Sequence, residues 1–393
     1  MFKQHFSVVL AVVIAAAAMD PIPDIRSDLV VHEWGTFTTM AGKDGRAVPW
    51  RPLNGPVDLP CFVERADVPP KFSFLTTVRM ETPVIYFYSP RPLTVNVAVG
   101  FNQGVMTEFF PRPTLVGQRG PSLLPREAMS RLEWNGLEVM PGAAADFRSE
   151  EGPNHYYAAR AADAAPLQVG SEREGFLFYR GVGGFELPLR ATVNSLRGID
   201  ITNGGADPIS ALMLFENRGG RIGFRAGWMP GGQLTIPAPT LDKDMASVRA
   251  TLVGMLIAEG LFTQEAEAMV ETWSGSWFEE GTRIFYAVPR PLVDRTLPLT
   301  IEPRPGAVER VFIGRLEIAT PQLLDDLRAA FVAQDDQLLA AHGRFLGPFS
   351  QRILDSGLPP SERARVHAAV AASIKASQAR AARQCETTTL PGG

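Results

Sequence analysis

Between Thr263 and Pro289 the spacing of apolar positions changes period. Ala266, Met269, Val270, Trp273 and Trp277 recur three and four residues apart, which predicts one helix with that stripe on a core. Thr263 is placed to cap its start. Glu265, Glu267 and Glu271 fall off the stripe, near the positive end of the helix dipole. The pattern then becomes an extended run, Ile284–Val288, stopped by Pro289. Glu279, Glu280 and Arg283 form a charged elbow between helix and strand.

Upstream, the period is two. Leu29–Thr39 is β-branched and aromatic and predicts a strand. Residues 41–72, rich in proline, predict a long ordered loop. Val84–Tyr88, Leu93–Phe101 and Val105–Phe110 predict three strands of an antiparallel meander. In the middle one Leu93, Val95, Val97, Val99 and Phe101 alternate with smaller or polar residues. Asn135-Gly136 between Leu132–Trp134 and Leu137–Val139 is a hairpin signal. Phe176–Arg180 is apolar on both faces, hence central. Ile209–Glu216 and Arg221–Trp228 predict a second hairpin around Asn217-Arg218-Gly219-Gly220, with Ile222, Phe224, Ala226 and Trp228 on one face.

Past Pro237 and Pro239 the pattern turns helical. Met245–Glu259 predicts a helix with Val248, Leu252, Met255 and Leu256 inward, closed by Gly260. Val311–Ile318 predicts a strand to accompany 284–288. Thr320-Pro321 is an N-cap followed by proline, and helices continue to about Arg383. The expected class is α+β: a mostly antiparallel, sandwich-like N-terminal region, then a helix-rich region containing a returning strand pair. The expected boundaries are a signal peptide over 1–18, a β-rich domain over 19–240, an α-rich region over 241–383 with strands near 284–288 and 311–318, and a disordered tail over 384–393.

Charge and composition narrow the setting. The net charge is −4 over 393 residues, which gives a nucleic acid no electrostatic reason to bind. Lys3, the apolar run Phe6–Ala18 and the small residues Ala16-Ala17-Ala18 have the form of a signal peptide too short to span a bilayer. Export to the periplasm or beyond is therefore expected, with no transmembrane segment after cleavage. Cys61 and Cys385 are the two cysteines, and an oxidising compartment lets them pair.

Several long motifs, VHEWGTFT, RMETPVIYFYSP, HYYAAR, FLFYRGVGGF, LFENRGGRIGFR, MVETWSGSWFEEG and RVFIGRLEIATP, together resemble a group of uncharacterised secreted bacterial proteins. The resemblance runs from about Val30 to Thr320. It implies export, and it implies no activity, cofactor or catalytic residue.

The candidate chemistry is sparse. Beyond His5, the histidines are His32, His155, His342 and His367. The last two lie on polar segments and are expected at the surface. No C-x-x-C or H-E-x-x-H is present, so no metal site is predicted. On a strand His32 and Trp34 share a face and Glu33 takes the other. Glu279 and Glu280 follow Trp277, and a carboxylate against an indole has its charged form desolvated, which suits a general acid. Tryptophan faces also stack on sugars. The catalytic candidates are Glu279, Glu280, His32 and His155; the ligand-binding candidates are Trp34, Tyr156, Tyr157, Arg160 and Arg283. Gly181-Val182-Gly183-Gly184 lacks the Lys-Ser/Thr of a P-loop, and no G-x-S-x-G elbow occurs. Single charges recur inside strands at Arg79, Glu81, Glu108, Arg180, Arg225, Arg315 and Glu317. They are ordinary on a solvent face and line a cleft if they converge with His32 and His155. An exported protein of binding or structural type, with a glycan or other envelope polymer as partner, is the first expectation. A hydrolase of such a polymer using carboxylate acid/base chemistry is the second. No cofactor is expected.

Overall fold

In the computed structural model, which describes residues 28–53, 58–66, 75–120, 124–152 and 154–386, a nine-stranded sheet runs through the whole molecule. Its order is β14 (Arg221–Met229), β13 (Ile209–Arg218), β16 (Gly281–Ala287), β18 (Ala307–Ile318), β1 (Val30–Ala41), β3 (Val78–Tyr88), β10 (Leu177–Gly183), β5 (Gly104–Phe110) and β2 (Glu64–Arg65). β1 and β18 are parallel neighbours, paired from Val30↔Ala307 to Ala41↔Ile318, while the other pairs are antiparallel. The strands predicted at 284–288 and 311–318 thus sit together inside the sheet, the second of them beside the first strand. This is an α+β protein.

A six-stranded sheet covers one face. It holds β17 (Leu299–Glu302), β4 (Leu93–Asn102), β7 (Met129–Val139), β8 (Leu167–Val169) and β9 (Glu172–Glu174), with β6 (Leu115–Arg119) alongside β7. A three-stranded sheet of β11 (Leu189–Val193), β12 (Ile199–Asn203) and β15 (Gly232–Ile236) extends that cover. Val31, Phe37, Ile85 and Phe87 of the large sheet meet Val95, Val97, Val99 and Leu132 of the smaller ones in one core. The expected meander does not form. β3 and β5 pair with β10 in the large sheet, whereas β4 pairs with β7 and β17 in the other. The physical reason is burial. β3 and β5 are buried on both faces and need cover on both, but β4 alternates and needs it on one. The Asn135-Gly136 hairpin is also absent. β7 runs straight through it, Gly136 taking φ 73° and donating its N–H to Asn96 Oδ1 at 2.8 Å. The second hairpin forms as expected, turning at Gly219 and Gly220, which both have positive φ. Trp228 on its outer strand nevertheless faces solvent.

Helices close the opposite face. α1 (Met245–Ala258) and α2 (Thr263–Thr272) lie on it, and α3 (Ser274–Trp277) continues α2 after a break at Trp273. The tryptophan helix is therefore two pieces. Both indoles are buried, Trp273 and Trp277 stacking with ring centroids 6.4 Å apart, and Trp277 also meets Phe285 at 5.0 Å. α4 (Arg290–Thr296) precedes β17. Thr320 caps α5 (Pro321–Ala333) through its Oγ1. α5, α6 (Asp336–Ala341), α7 (Leu346–Leu354) and the start of α8 (Pro360–Glu386) then form a third core with Met40 and Trp50. Among the described residues no helix is long and apolar enough to cross a membrane. The expected signal peptide and most of the expected tail lie outside the described residues. Cys61 is disulfide-bonded, and the side chain of Cys385 lies outside the described residues.

Candidate functional site

The helix-covered face of the large sheet has an apolar middle and two polar ends. Trp34, Val84, Tyr86, Phe178 and Phe285 make the middle. At one end is His32, whose Nδ1 lies 2.7 Å from Glu265 Oε2. The Tyr88 hydroxyl donates to Glu265 Oε1 at 2.7 Å, and the backbone N–H of Phe262 donates to Oε2 at 2.8 Å. The Phe262 ring lies 4.3 Å from the imidazole. Glu265, off the apolar stripe, is thus a buried hub. Phe262 occupies the cap position expected of Thr263, and the carboxylate three residues on closes the turn. Glu33 is on the opposite face, paired with Arg310 and receiving the Tyr179 hydroxyl.

The other end is a layer of buried charge. Four to six residues of strand, roughly 13–20 Å, separate His32 from Thr36 and Thr38. Beside them lie Arg79 and Glu81 of β3, Arg180 of β10, Arg315 and Glu317 of β18 and Arg283 of β16, all buried. Glu317 Oε1 accepts from Arg283 Nε at 2.7 Å and Arg315 Nε at 2.6 Å. Glu81 accepts from Thr38 at 2.6 Å and from Arg344, ahead of α7, at 2.5 Å. Asp58 reaches Arg180 Nη1 at 2.7 Å and Arg79 Nη2 at 3.5 Å. Glu279 lies 3.4 Å from Arg315. Six of the seven strand charges singled out from the sequence are buried; Arg225 alone is exposed.

Irregular backbone aims these side chains. Thr82 has φ 45°, a strained value for a β-branched residue. Val84 and Tyr86 face the helices, and beyond Thr82 the odd-numbered Glu81 and Arg79 do so instead. β10 shifts register against β5 between Arg180 and Gly181, where a Cβ would stand 2.4 Å from the Val105 carbonyl. Bulges of this kind recur beside active sites, where they re-aim a side chain.

The environment separates the titratable groups. Burial raises the Asp58 carboxyl, but Arg180 and Arg79 outweigh it and hold it well below the usual range. Burial likewise opposes Arg344 and Arg79 at Glu81, and the arginines win, bringing it to about 2. Glu279 goes the other way: burial raises it against Arg315 and Arg344. Burial lowers His155 to about 4, Asp58 opposing and Arg180 adding. Several buried polar atoms have no hydrogen-bond partner among the described residues: Nε of Arg79 and of Arg180, Nη1 of Arg315, Oε2 of Glu317, Nε2 of His155 and the indole nitrogens of Trp273 and Trp277. Donors dominate this set, so the layer is short of acceptors.

The sequence-predicted residues divide. Glu279 and His155 lie in the charged layer, His155 with its ring 5.7 Å from Trp273. Glu280 turns away, its carboxylate accepting the Gly219 N–H. Arg283 belongs to the layer, but its donors go to Glu317 and to the carbonyls of Trp277, Glu279 and Glu280. Trp34 is buried between the two polar ends, with Tyr86. Tyr156 donates to Glu174, Arg160 grips the same carboxylate with Nε and Nη2 and covers the Tyr157 ring, and the Tyr157 hydroxyl receives the Glu150 N–H. These three hold their own segment. His342 is buried, not at the surface as expected, because α5 and α7 close over it; burial brings it to about 4. His367 is exposed. Sequence reasoning missed Asp58, Arg344 and Glu265. Glu265 alone left a signal, its place three residues beyond the helix cap. Among the described residues no cluster of His, Cys, Asp and Glu is arranged to hold a metal. No protein-family model matches the chain, and no curated protein is similar to it.

Proposed function

We propose that this is an exported protein that binds a polar ligand, a glycan or other envelope polymer, at the charged layer between the large sheet and its helices. The observation that carries this reading is the burial of four arginines (79, 180, 283 and 315), with Arg344 partly buried beside them, among carboxylates on one face, where several guanidinium N–H groups lack acceptors among the described residues. Desolvating so many charges costs several kcal/mol per ion, and an apolar core would hold the sheet as well or better. Perturbed titratable groups gathered in one place mark functional sites. The strained Thr82 and the bulges at the same place support the assignment. Export is supported by Lys3 with the Phe6–Ala18 run and by the disulfide at Cys61, a bond that persists in oxidising compartments.

One observation favours a hydrolase as the second reading. Asp58 and Glu81 are held ionised while Glu279 is raised, and neighbouring carboxyls pushed apart in this way divide into acid and base roles. The test is incubation of the protein and its Glu279→Gln variant with peptidoglycan and glycan arrays, reading both retention and released fragments. Retention by both proteins without fragments supports binding. Fragments from the wild type alone support the hydrolase. No retention and no fragments from a folded wild type would sink both.

A further inference from the structure

We propose that Arg79 and Arg180 form an anion clamp whose resident counterion is the Asp58 carboxylate, and that a ligand's carboxylate, sulfate or phosphate group takes the place of Asp58. This rests on the binding reading above and names the ligand's chemistry.

The two arginines stand on β3 and β10, adjacent strands in the middle of the large sheet, with side chains 4% and 2% exposed. Asp58 lies outside any regular element, and its side chain is 22% exposed. Asp58 is thus where the guanidinium pair meets solvent. The sheet fixes the arginines, whereas the carboxylate stands on irregular backbone. Its grip is also incomplete. Only the contact to Arg180 Nη1, at 2.7 Å, has the length of a charge-assisted bond. The others are 3.4 Å to Arg180 Nη2 and 3.5 Å to Arg79 Nη2.

The Nε of each arginine is buried and without a partner among the described residues. Glu81 approaches Arg79 Nε only to 3.8 Å. A tetrahedral anion offers more acceptors than one carboxylate and suits these spare donors. The two arginines differ in charge setting: burial first, then Arg344, pushes Arg79 down to about 10, whereas at Arg180 burial is outweighed by Asp58 and Glu108, which raise it. Other Arg180 contacts would survive the exchange, since Nη2 also donates to Thr82 Oγ1 at 3.3 Å.

The experiment removes the resident charge. Asp58→Asn keeps the shape and loses the anion. Thermal melts and calorimetric titrations of wild type, Asp58→Asn and Asp58→Asn/Arg180→Met compare sodium sulfate, sodium phosphate and glucuronate with sodium chloride at equal ionic strength. Asp58→Asn is expected to bind sulfate or phosphate at least about tenfold more tightly than the wild type, because a like charge no longer competes. The double variant is expected to lose that gain, which separates a site from the general stabilisation that sulfate gives any protein. Preference for glucuronate over the inorganic anions points to an acidic sugar as the source of the group, and the reverse preference to a free anion or a phosphorylated polymer. Should Asp58→Asn fold only in sulfate, while the double variant does not, the clamp is supported as well. Equal anion affinity in wild type and Asp58→Asn, or an equal gain in the double variant, overturns the clamp. Normal polymer retention alongside that result leaves the binding reading standing. An anion response in Asp58→Asn without polymer retention leaves the clamp and removes the polymer.

Discussion

Replacing Glu317 by Gln isolates the energetics of the charged layer. The Glu317 side chain is fully buried, and its Oε1 holds both Arg283 and Arg315 by their Nε groups, at 2.7 and 2.6 Å. Glutamine keeps the shape and an acceptor but loses the charge, stranding two cations that are themselves sealed. Removing one partner of a buried pair costs about 3–5 kcal/mol. Two arginines are stranded here, which pushes the cost up. Three carbonyls still hold Arg283, and Glu279 stays 3.4 Å from Arg315, which pulls it down. The expected loss is therefore about 3–5 kcal/mol, a large part of the roughly 5–15 kcal/mol that a domain has. Urea unfolding followed by tryptophan emission reads it well, because the Trp273 and Trp277 indoles are buried in the folded state and meet water on unfolding. The companion double variant, Arg283→Met with Glu317→Leu, should lose less than the sum of its single changes, since Arg283 then leaves with its partner and only Arg315 remains, facing Glu279 at 3.4 Å. A Glu317→Gln loss under about 1 kcal/mol, or strict additivity in the cycle, would refute the claim that these charges are desolvated.

Trp277→Ala should cost about 3–5 kcal/mol in the same assay, because the indole is fully buried between Trp273 and Phe285; a loss under about 1 kcal/mol would place that ring in solvent. Glu265→Ala should cost about 2–4 kcal/mol, since it strips partners from His32, Tyr88 and the Phe262 N–H, while Glu267→Ala on the exposed side should stay within about 0.5 kcal/mol. Similar costs for the two would deny the hub. Stability should also fall on acidification in two stages. Histidines lowered to about 4 stay neutral when folded, so their contribution is full above pH 6.5 and is lost as pH falls from about 6.5 to about 4, on the order of 3 kcal/mol each at most. Glu81, depressed to about 2, contributes fully above about pH 4.5 and loses that as pH falls towards 2. His155→Gln with His342→Gln should remove the first stage from urea midpoints measured across pH and leave the second; an unchanged first stage would assign it elsewhere.

What the sequence by itself determined was local periodicity and the class built from it. The alternation along Leu93–Asn102 marked a half-buried strand, the double-faced apolarity of Phe176–Arg180 marked a central one, and Gly219-Gly220 marked a turn; all three hold because a strand's burial is written into its own side chains. Which strands pair is a different matter. β1 lies beside β18, from the far end of the chain, and β3 passes its sequence neighbour β4 by, because pairing follows the cover each face requires and not nearness in sequence. Only the tertiary structure decided the site. Alternation carried from Val84 would send Arg79 and Glu81 to the face away from the helices. One strained residue, Thr82, reverses that parity and brings them to Arg180, Arg315 and Arg344. Asp58 and Arg344 come from irregular segments with no period to read. A charge in a strand looks the same in sequence whether it faces water or four other charges, since its burial depends on what the rest of the chain lays over it.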